Sequence, residues 1–428
     1  MERIYESVPI ADPGQTKLKM LNWVNRFSIF CFLDNHNYQS AHQTHECLMG
    51  AGAFRFLEAE AGQALEQLRS FSDLQEDWLF GHFGYDLKNE LEPLHSGHPD
   101  RVGFPDLFFF APLIVCQLQA GNLVIGSLSG DPREIFNQIN AMPLPGPPSC
   151  GQPVQLEESM SRAEYLLTVQ KLQEHIRRGD CYEINFCQEF HASGAVLDPL
   201  QTYLQLSRAS PTPFAAFYRL GERYLCCASP ERYLRRQGDL LISQPMKGTW
   251  PRDNSDGSRD EANKASLLHS PKDRSENVMV VDLVRNDLSR ICQEGSVAVE
   301  ELYGIYSFPQ VHQMISTVRG RPLPGIHWVD IIGATFPMGS MTGMPKKRVL
   351  ELIEKYEKSR RGIFSGSIGY IKPGGDFDFN VIIRSIMYNR AEASLSYQVG
   401  SAITFYSEAD MEYEECMIKA KAIKKVLA

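Results

Sequence analysis

Residues 161–190 read SRAEYLLTVQKLQEHIRRGDCYEINFCQEF, and the period of the apolar residues changes in the middle of that stretch. Ser161 and Glu164 have the spacing of a capping box, in which each side chain satisfies a backbone N–H that the first helical turn leaves unpaired. Leu166, Val169, Leu172 and Ile176 then recur on one helical face, and Gly179 supplies a stop. Directly afterwards Tyr182, Ile184 and Phe186 alternate with polar residues, the two-residue period of a strand. A capped helix feeding a strand predicts a mixed α and β chain.

Upstream, the sharpest break in composition is Ala141–Pro153 (AMPLPGPPSCGQP), whose five prolines and two glycines exclude a helix or a central strand. It divides the chain into an N-terminal α+β region, residues 1–145, and a larger region, residues 155–428. Asp106–Val115 (DLFFFAPLIV) and Asn122–Ile125 predict strands of the first region. Downstream, Tyr233–Ser243 with Gln237-Gly238-Asp239 at its centre predicts a hairpin. Ser270-Pro271 predicts a cap followed by proline at the first position of a helix running toward Arg290, and a last helix starts after Ser407.

The bulk properties exclude several classes. With 428 residues, 43% hydrophobic and 22% charged, the chain has the composition of a folded globular protein rather than a disordered or fibrous one. A formal charge of -9 and the absence of a dense Lys/Arg run argue against nucleic-acid binding. No N-terminal signal pattern or long apolar span is present, so a cytoplasmic location is expected. Ten cysteines are scattered without a CxxC pair, which predicts reduced, mostly buried thiols and no zinc site.

Single residues offer several candidates. Glu412, Glu415 and Lys419 fall near one face of the last helix; they suit either a solvated surface or, with a third carboxylate such as Glu276, a hard cation like Mg²⁺. Lys247 in Gln244-Pro245-Met246-Lys247-Gly248-Thr249 follows a strand at a turn. A loop lysine is ordinarily a solvated charge; a nucleophile needs a neutral amine, hence burial or a neighbouring base. Glu231, in Ser229-Pro230-Glu231-Arg232, is an acid/base candidate because the hairpin returns the chain toward Lys247. Residues 336–346 (FPMGSMTGMPK) lead into a helical pattern over Lys347–Tyr356 and suit either an anion cradle or a plain capped loop. Arg384 is read at the end of a strand, where it could grip a carboxylate with two hydrogen bonds.

Taken in order, the blocks GDCYEINFCQEF, SPERYL, PMKGT, DRSENVMVVDLVRNDL, VHQMISTVRG, FPMGSMTGMPKKR, RRGIFSGSIGYI, DFDFNVIIR and EYEECMIKAKAI resemble the chorismate-binding enzyme family from about Ser161 to the C-terminus. Trp78–Leu94 resembles part of its N-terminal region. The resemblance implies an α+β fold of large antiparallel β-sheets packed as a sandwich surrounded by helices, with chorismate in a cleft. It implies that Glu276, Glu412 and Glu415 hold Mg²⁺ against the ring carboxylate and that Arg384 binds the enolpyruvyl carboxylate. Thr249, His312 and Ser340 would line the ring pocket, with Gly400-Ser401-Ala402 in place of a glycine triplet whose backbone approaches the ligand.

Within the family, a lysine at position 247 resembles the branch that places an amino group at C4 of chorismate, on the route to para-aminobenzoate and folate; the anthranilate-forming branch carries alanine there. Lys247 would attack C2 while Glu231 protonates the departing C4 hydroxyl, and ammonia would then add at C4 and expel the lysine. The branch that hydrates the ring has its own lysine at the position of Glu183, so hydration is not expected. No nucleophilic-cysteine block of a glutaminase is present, which implies ammonia from a glutamine amidotransferase partner. Three positions depart from the family pattern: Phe364 for tyrosine, Glu183 for glutamine and Ala402 for glycine. A non-catalytic binding subunit would have no reason to keep Lys247, Glu231 and the three presumed metal ligands together.

Overall fold

The computed structural model of the chain describes residues 2–38, 42, 45–146, 153–253, 255–308 and 311–428. Cys150 and the middle of the proline-rich break lie outside the described residues. All pairings between the strands are antiparallel, and they follow two arms that diverge from one long strand, Leu107–Gln119. The N-terminal half of that strand pairs with Leu79–Phe83, and the arm continues through Ser367–Ile371, Phe377–Asn380, Arg232–Gln237, Leu240–Gln244 and Val311–Gly320. Its far end holds Met246–Pro251 and Ala298–Ser307.

The other arm leaves Leu107–Gln119 through Cys47–Ala59 and continues through Ile29–Asp34, Phe214–Leu220, Arg223–Ser229, Ser385–Asn389, Ser394–Ile403 and Glu183–Ser193. Phe80, Phe83 and Phe379 of the first arm and Phe109 of the shared strand lie in one core with Cys31, Leu48, Tyr218 and Met387 of the second arm, so the arms are the two layers of a sandwich. Each phenyl ring withdrawn from water there contributes on the order of 2 kcal/mol. A second core lies outside the second arm, where Trp23, Tyr165, Tyr203, Val349 and Ile423 bring five helices onto it. The expected sandwich of antiparallel sheets surrounded by helices is the fold observed.

Local expectations hold where local chemistry decides. Ser161 and Glu164 form the capping box of helix Arg162–Arg177. Gly238 has φ +58° at the tip of the hairpin between Arg232–Gln237 and Leu240–Gln244. Ser270 caps helix Pro271–Ser289. The last helix is Ala409–Leu427. The strand after Gly179 departs from the expected alternation: Glu183–Ser193 is buried on both faces up to its last residue, because helices cover its outer face. The nine described cysteines are free and buried. Among the described residues no helix is long and apolar enough to cross a membrane.

Candidate active site

Two stretches of chain cross from one arm to the other side by side, and each carries a candidate. Arg223–Ser229 lies in the second arm and Arg232–Gln237 in the first, so Ser229-Pro230-Glu231 is a crossover. Phe377–Asn380 and Ser385–Asn389 are joined by a parallel case, residues 381–384. The crossovers are tied by a hydrogen bond from Val381 N to Glu231 O at 3.0 Å. Arg384 therefore does not end a strand, as its sequence suggested. It sits at the crossover with φ +53°, a left-handed conformation that redirects the chain into Ser385–Asn389.

Lys247 likewise lies within strand Met246–Pro251 rather than in a turn after one. The register with Val311–Gly320 slips between Met246 and Thr249, and Gly248 has φ +83°. A bulge of this kind re-aims the side chain beside it. A Cβ at residue 248 would come within 2.8 Å of Asp273 Oδ1, so the bulge also needs glycine for space.

Between the far ends of the two arms lies a cavity of about 740 Å³ including its open mouth, large enough for a small dicarboxylate. Eight of the ten candidates line it: Glu231, Lys247, Thr249, Glu276, Ser340, Arg384, Ala402 and Glu415. Gly400 is also on its wall, and a Cβ there would meet Cys187 Sγ at 2.4 Å and Phe186 O at 2.7 Å, where the Ser394–Ile403 and Glu183–Ser193 strands pair. Phe364, Asn185, Gln313 and Lys419 complete the parts of the wall that matter for the chemistry.

His312 and Glu412 do not line the cavity, although Glu412 meets the cavity residues Glu276 and Glu415 around Lys272. His312 Nδ1 is 2.9 Å from Ser307 Oγ and Nε2 is 3.0 Å from Asp260 Oδ1, so both ring nitrogens are engaged away from the cavity. Its neighbour Gln313 points the opposite way, as successive residues on a strand must. Gln313 Nε2 donates to Gly248 O at 2.7 Å and its Oε1 accepts from Thr249 Oγ1 at 3.0 Å. Gln313, not His312, meets the ligand space and braces the bulge that carries Lys247.

The electrostatics follow from burial. Removal from water pushes the Glu231 carboxyl up to about 7, against the pull of Ser340, Lys247 and Arg384. Lys247 Nζ is 2.8 Å from Glu183 Oε1, and the two side chains are 9% and 2% exposed. Burial works against the ammonium, but Glu183, Glu276 and Glu231 outweigh it and hold its pKa above the ordinary lysine value. Arg384 makes no ion pair with any described residue and lines the cavity, where burial works against its charge and Glu231 supports it.

The three acidic candidates surround a cation of the chain's own. Lys272 Nζ is 2.9 Å from Glu412 Oε1 and 3.8 Å from both Glu276 Oε1 and Glu415 Oε2. Glu276 Oε1 and Glu412 Oε2 are buried without a hydrogen-bond partner among the described residues. Two orphaned carboxylate oxygens and an ammonium shared by three carboxylates fit the donor chemistry of a hard divalent ion. As they stand, no three acidic, histidine or cysteine side chains among the described residues are gathered to hold one.

Comparison with known proteins agrees with the geometry. Residues 29–425 match the family model described as chorismate binding enzyme. The chain belongs to the chorismate binding enzyme family. It is 36% identical over 346 residues to aminodeoxychorismate synthase component 1 of Klebsiella aerogenes, covering 80% of this chain and 75% of that one. It is 40% identical over 270 residues to a probable chloroplastic aminodeoxychorismate synthase of Oryza sativa subsp. japonica, a match spanning 62% of this chain but only 30% of the rice protein. The crystal structure of anthranilate synthase component I from Streptococcus pneumoniae superposes with a TM-score of 0.76 at 23% identity, covering 91% of this chain and 95% of that one.

Proposed function

We propose that the chain converts chorismate and ammonia to 4-amino-4-deoxychorismate, the chemistry named for its relatives in Klebsiella and rice, with residues 155–428 carrying the reaction. The single observation that carries the reading is Lys247: a buried amine re-aimed by a bulge into a cavity that also holds an acid raised to about 7, Glu231. Every residue lining that cavity comes from beyond residue 155.

Lys247 Nζ attacks C2 of the ring, the two conjugated double bonds shift, and the C4 hydroxyl leaves as water with the proton of Glu231. Ammonia then adds at C4, both double bonds return and the C2–N bond to Lys247 breaks. Two displacements through the ring's conjugated diene place the amine where the hydroxyl was. Arg384, in no ion pair with a described carboxylate, takes a substrate carboxylate, while Thr249 and Ser340 contact the ring substituents and the backbone at Gly400–Ala402 walls the ring. Glu276, Glu412 and Glu415 would hold Mg²⁺, which supplies positive charge to a carboxylate of the substrate when bound. Glutamine-derived ammonia comes from a separate amidotransferase subunit, in keeping with the name component 1 of the Klebsiella relative.

The test is product identification with chorismate, ammonium and Mg²⁺. 4-Amino-4-deoxychorismate as main product supports the proposal, and anthranilate or unconverted chorismate overturns it. Omitting ammonia should leave a mass increment on Lys247.

A further inference from the structure

The reaction leaves one proton unaccounted for. Lys247 is charged at rest and must become neutral before it attacks, yet Glu231 cannot receive that proton, because its task in the same step is to give one. A second acceptor is needed within reach of Nζ.

Resting on the proposed amination, we infer that Glu183 is the proton acceptor that converts Lys247 into a nucleophile and later returns the proton to it. The pair joins the two layers of the sandwich: Glu183 opens the strand Glu183–Ser193, and Lys247 belongs to Met246–Pro251. Glu183 Oε1 is 2.8 Å from Nζ, and the other oxygen, Oε2, is buried with no hydrogen-bond partner among the described residues. The carboxylate thus has one oxygen on the amine and no donor holding the other, so protonation breaks no hydrogen bond of the fold. Its backbone is pinned by the pairing of Met344 with Glu183 and by Gly343, where a Cβ would come within 2.0 Å of Glu183 O. The remaining charges that bear on Nζ are Glu276 from helix Pro271–Ser289, Glu231 from the crossover, and Glu415 and Lys419 from helix Ala409–Leu427. None of these lies within ion-pair distance of Nζ among the described residues.

The protons balance. Lys247 NH₃⁺ passes one proton to the Glu183 carboxylate, and the amine forms its bond to C2 as the C4–O bond breaks and water departs with the proton of Glu231. The adduct is a secondary ammonium. Ammonia forms its bond at C4, the C2–N bond breaks, and Lys247 leaves as a neutral amine that recovers its proton from Glu183. The new C4 ammonium gives one proton to Glu231, and both carboxyls are restored.

Transfer inside the pair makes adduct formation independent of pH wherever Lys247 is charged and Glu183 ionised, whereas a lysine without an acceptor must lose its proton to solvent. The full-length protein is mixed with chorismate and Mg²⁺ without ammonia between pH 5.5 and 7, and the Lys247 adduct is timed by mass spectrometry. The wild type should show a level rate. Glu183→Gln, nearly the same shape, should be roughly 10²-fold slower at pH 6 and climb about tenfold per pH unit. Glu183→Asp, which keeps a carboxylate, should be slower but level. A Glu183→Gln protein with the wild-type rate, or with a reduced but level profile, overturns the inference and leaves a counter-ion that only positions Lys247. A steep profile for Glu183→Asp overturns it as well, and keeps the question decidable if the Gln variant fails to fold. If the wild type itself forms neither adduct nor aminated product, the parent reaction fails rather than the role of Glu183.

Discussion

Lys272 Nζ stands 2.9 Å from Glu412 Oε1, on the side of the cavity where Glu276 and Glu415 also turn toward it. Its side chain is 39% exposed, whereas that of Glu412 is 1% exposed, so the cation can leave for solvent but the carboxylate cannot. Lys272 therefore competes with any divalent ion for the same three carboxylates.

Replacing Lys272 by methionine should tighten Mg²⁺ binding in the absence of chorismate by about tenfold, close to 1.4 kcal/mol. Calorimetric titration with MgCl₂ measures it. Equal or weaker binding by K272M would mean that Lys272 helps to build the ion site instead of occupying it.

Glu231 sets an alkaline limit. Its carboxyl is raised to about 7 by burial, and proton donation requires the form present below that pH. The rate of adduct formation without ammonia should hold below pH 7 and fall about tenfold per unit above it. Glu231→Gln should lose roughly 10²–10⁴ in rate and lose the limb too. A limb that survives in the variant would assign it to another group.

Gln313 and His312 separate binding from scaffolding. Gln313→Ala removes the brace of Gly248 and Thr249 and should raise KM for chorismate with a fall in kcat, since the bulge aims Lys247. His312→Ala cuts the link to Asp260 at the start of helix Gly257–His269 and should lower the unfolding midpoint while leaving KM within about twofold. Steady-state kinetics beside denaturant titration distinguish the two; a KM rise for His312→Ala alone would reverse the placement.

Gly400→Ala tests the cavity wall. The added Cβ has Cys187 Sγ at 2.4 Å and backbone oxygen at 2.7 Å, so strands must part to admit it. A loss of about 1–3 kcal/mol in denaturant unfolding is expected. An unchanged midpoint would show that the strand pair yields without cost.

These residues mark what could be read from the sequence. The capping box at Ser161, the turn at Gly238 and the cap at Ser270 are short-range chemistry, and each forms where expected. The carboxylates and Lys247 could be found through ordered blocks that resemble a family. Gln313 was missed because only the strand register decides which of two neighbours faces inward. The partnership of Glu183 with Lys247 was missed because the residues belong to opposite layers, whose apposition no local pattern encodes. Arg384 was misread as a strand end because the apolar run preceding it hides a crossover. Lys272 was missed because its partners Glu412 and Glu415 lie far along the chain on the last helix.

The early strands of this sandwich have late partners. Phe83 pairs with Ser367 and Leu79 with Ile371, while Ile29–Asp34 pairs with Phe214–Leu220. During synthesis, Leu79–Phe83 must wait with an unpaired edge until nearly the whole chain has emerged. Such distant pairing slows folding and leaves apolar edges open to aggregation in the interval. Recovery of active protein should therefore depend on chaperone capacity and growth temperature more than the stability of the finished sandwich suggests.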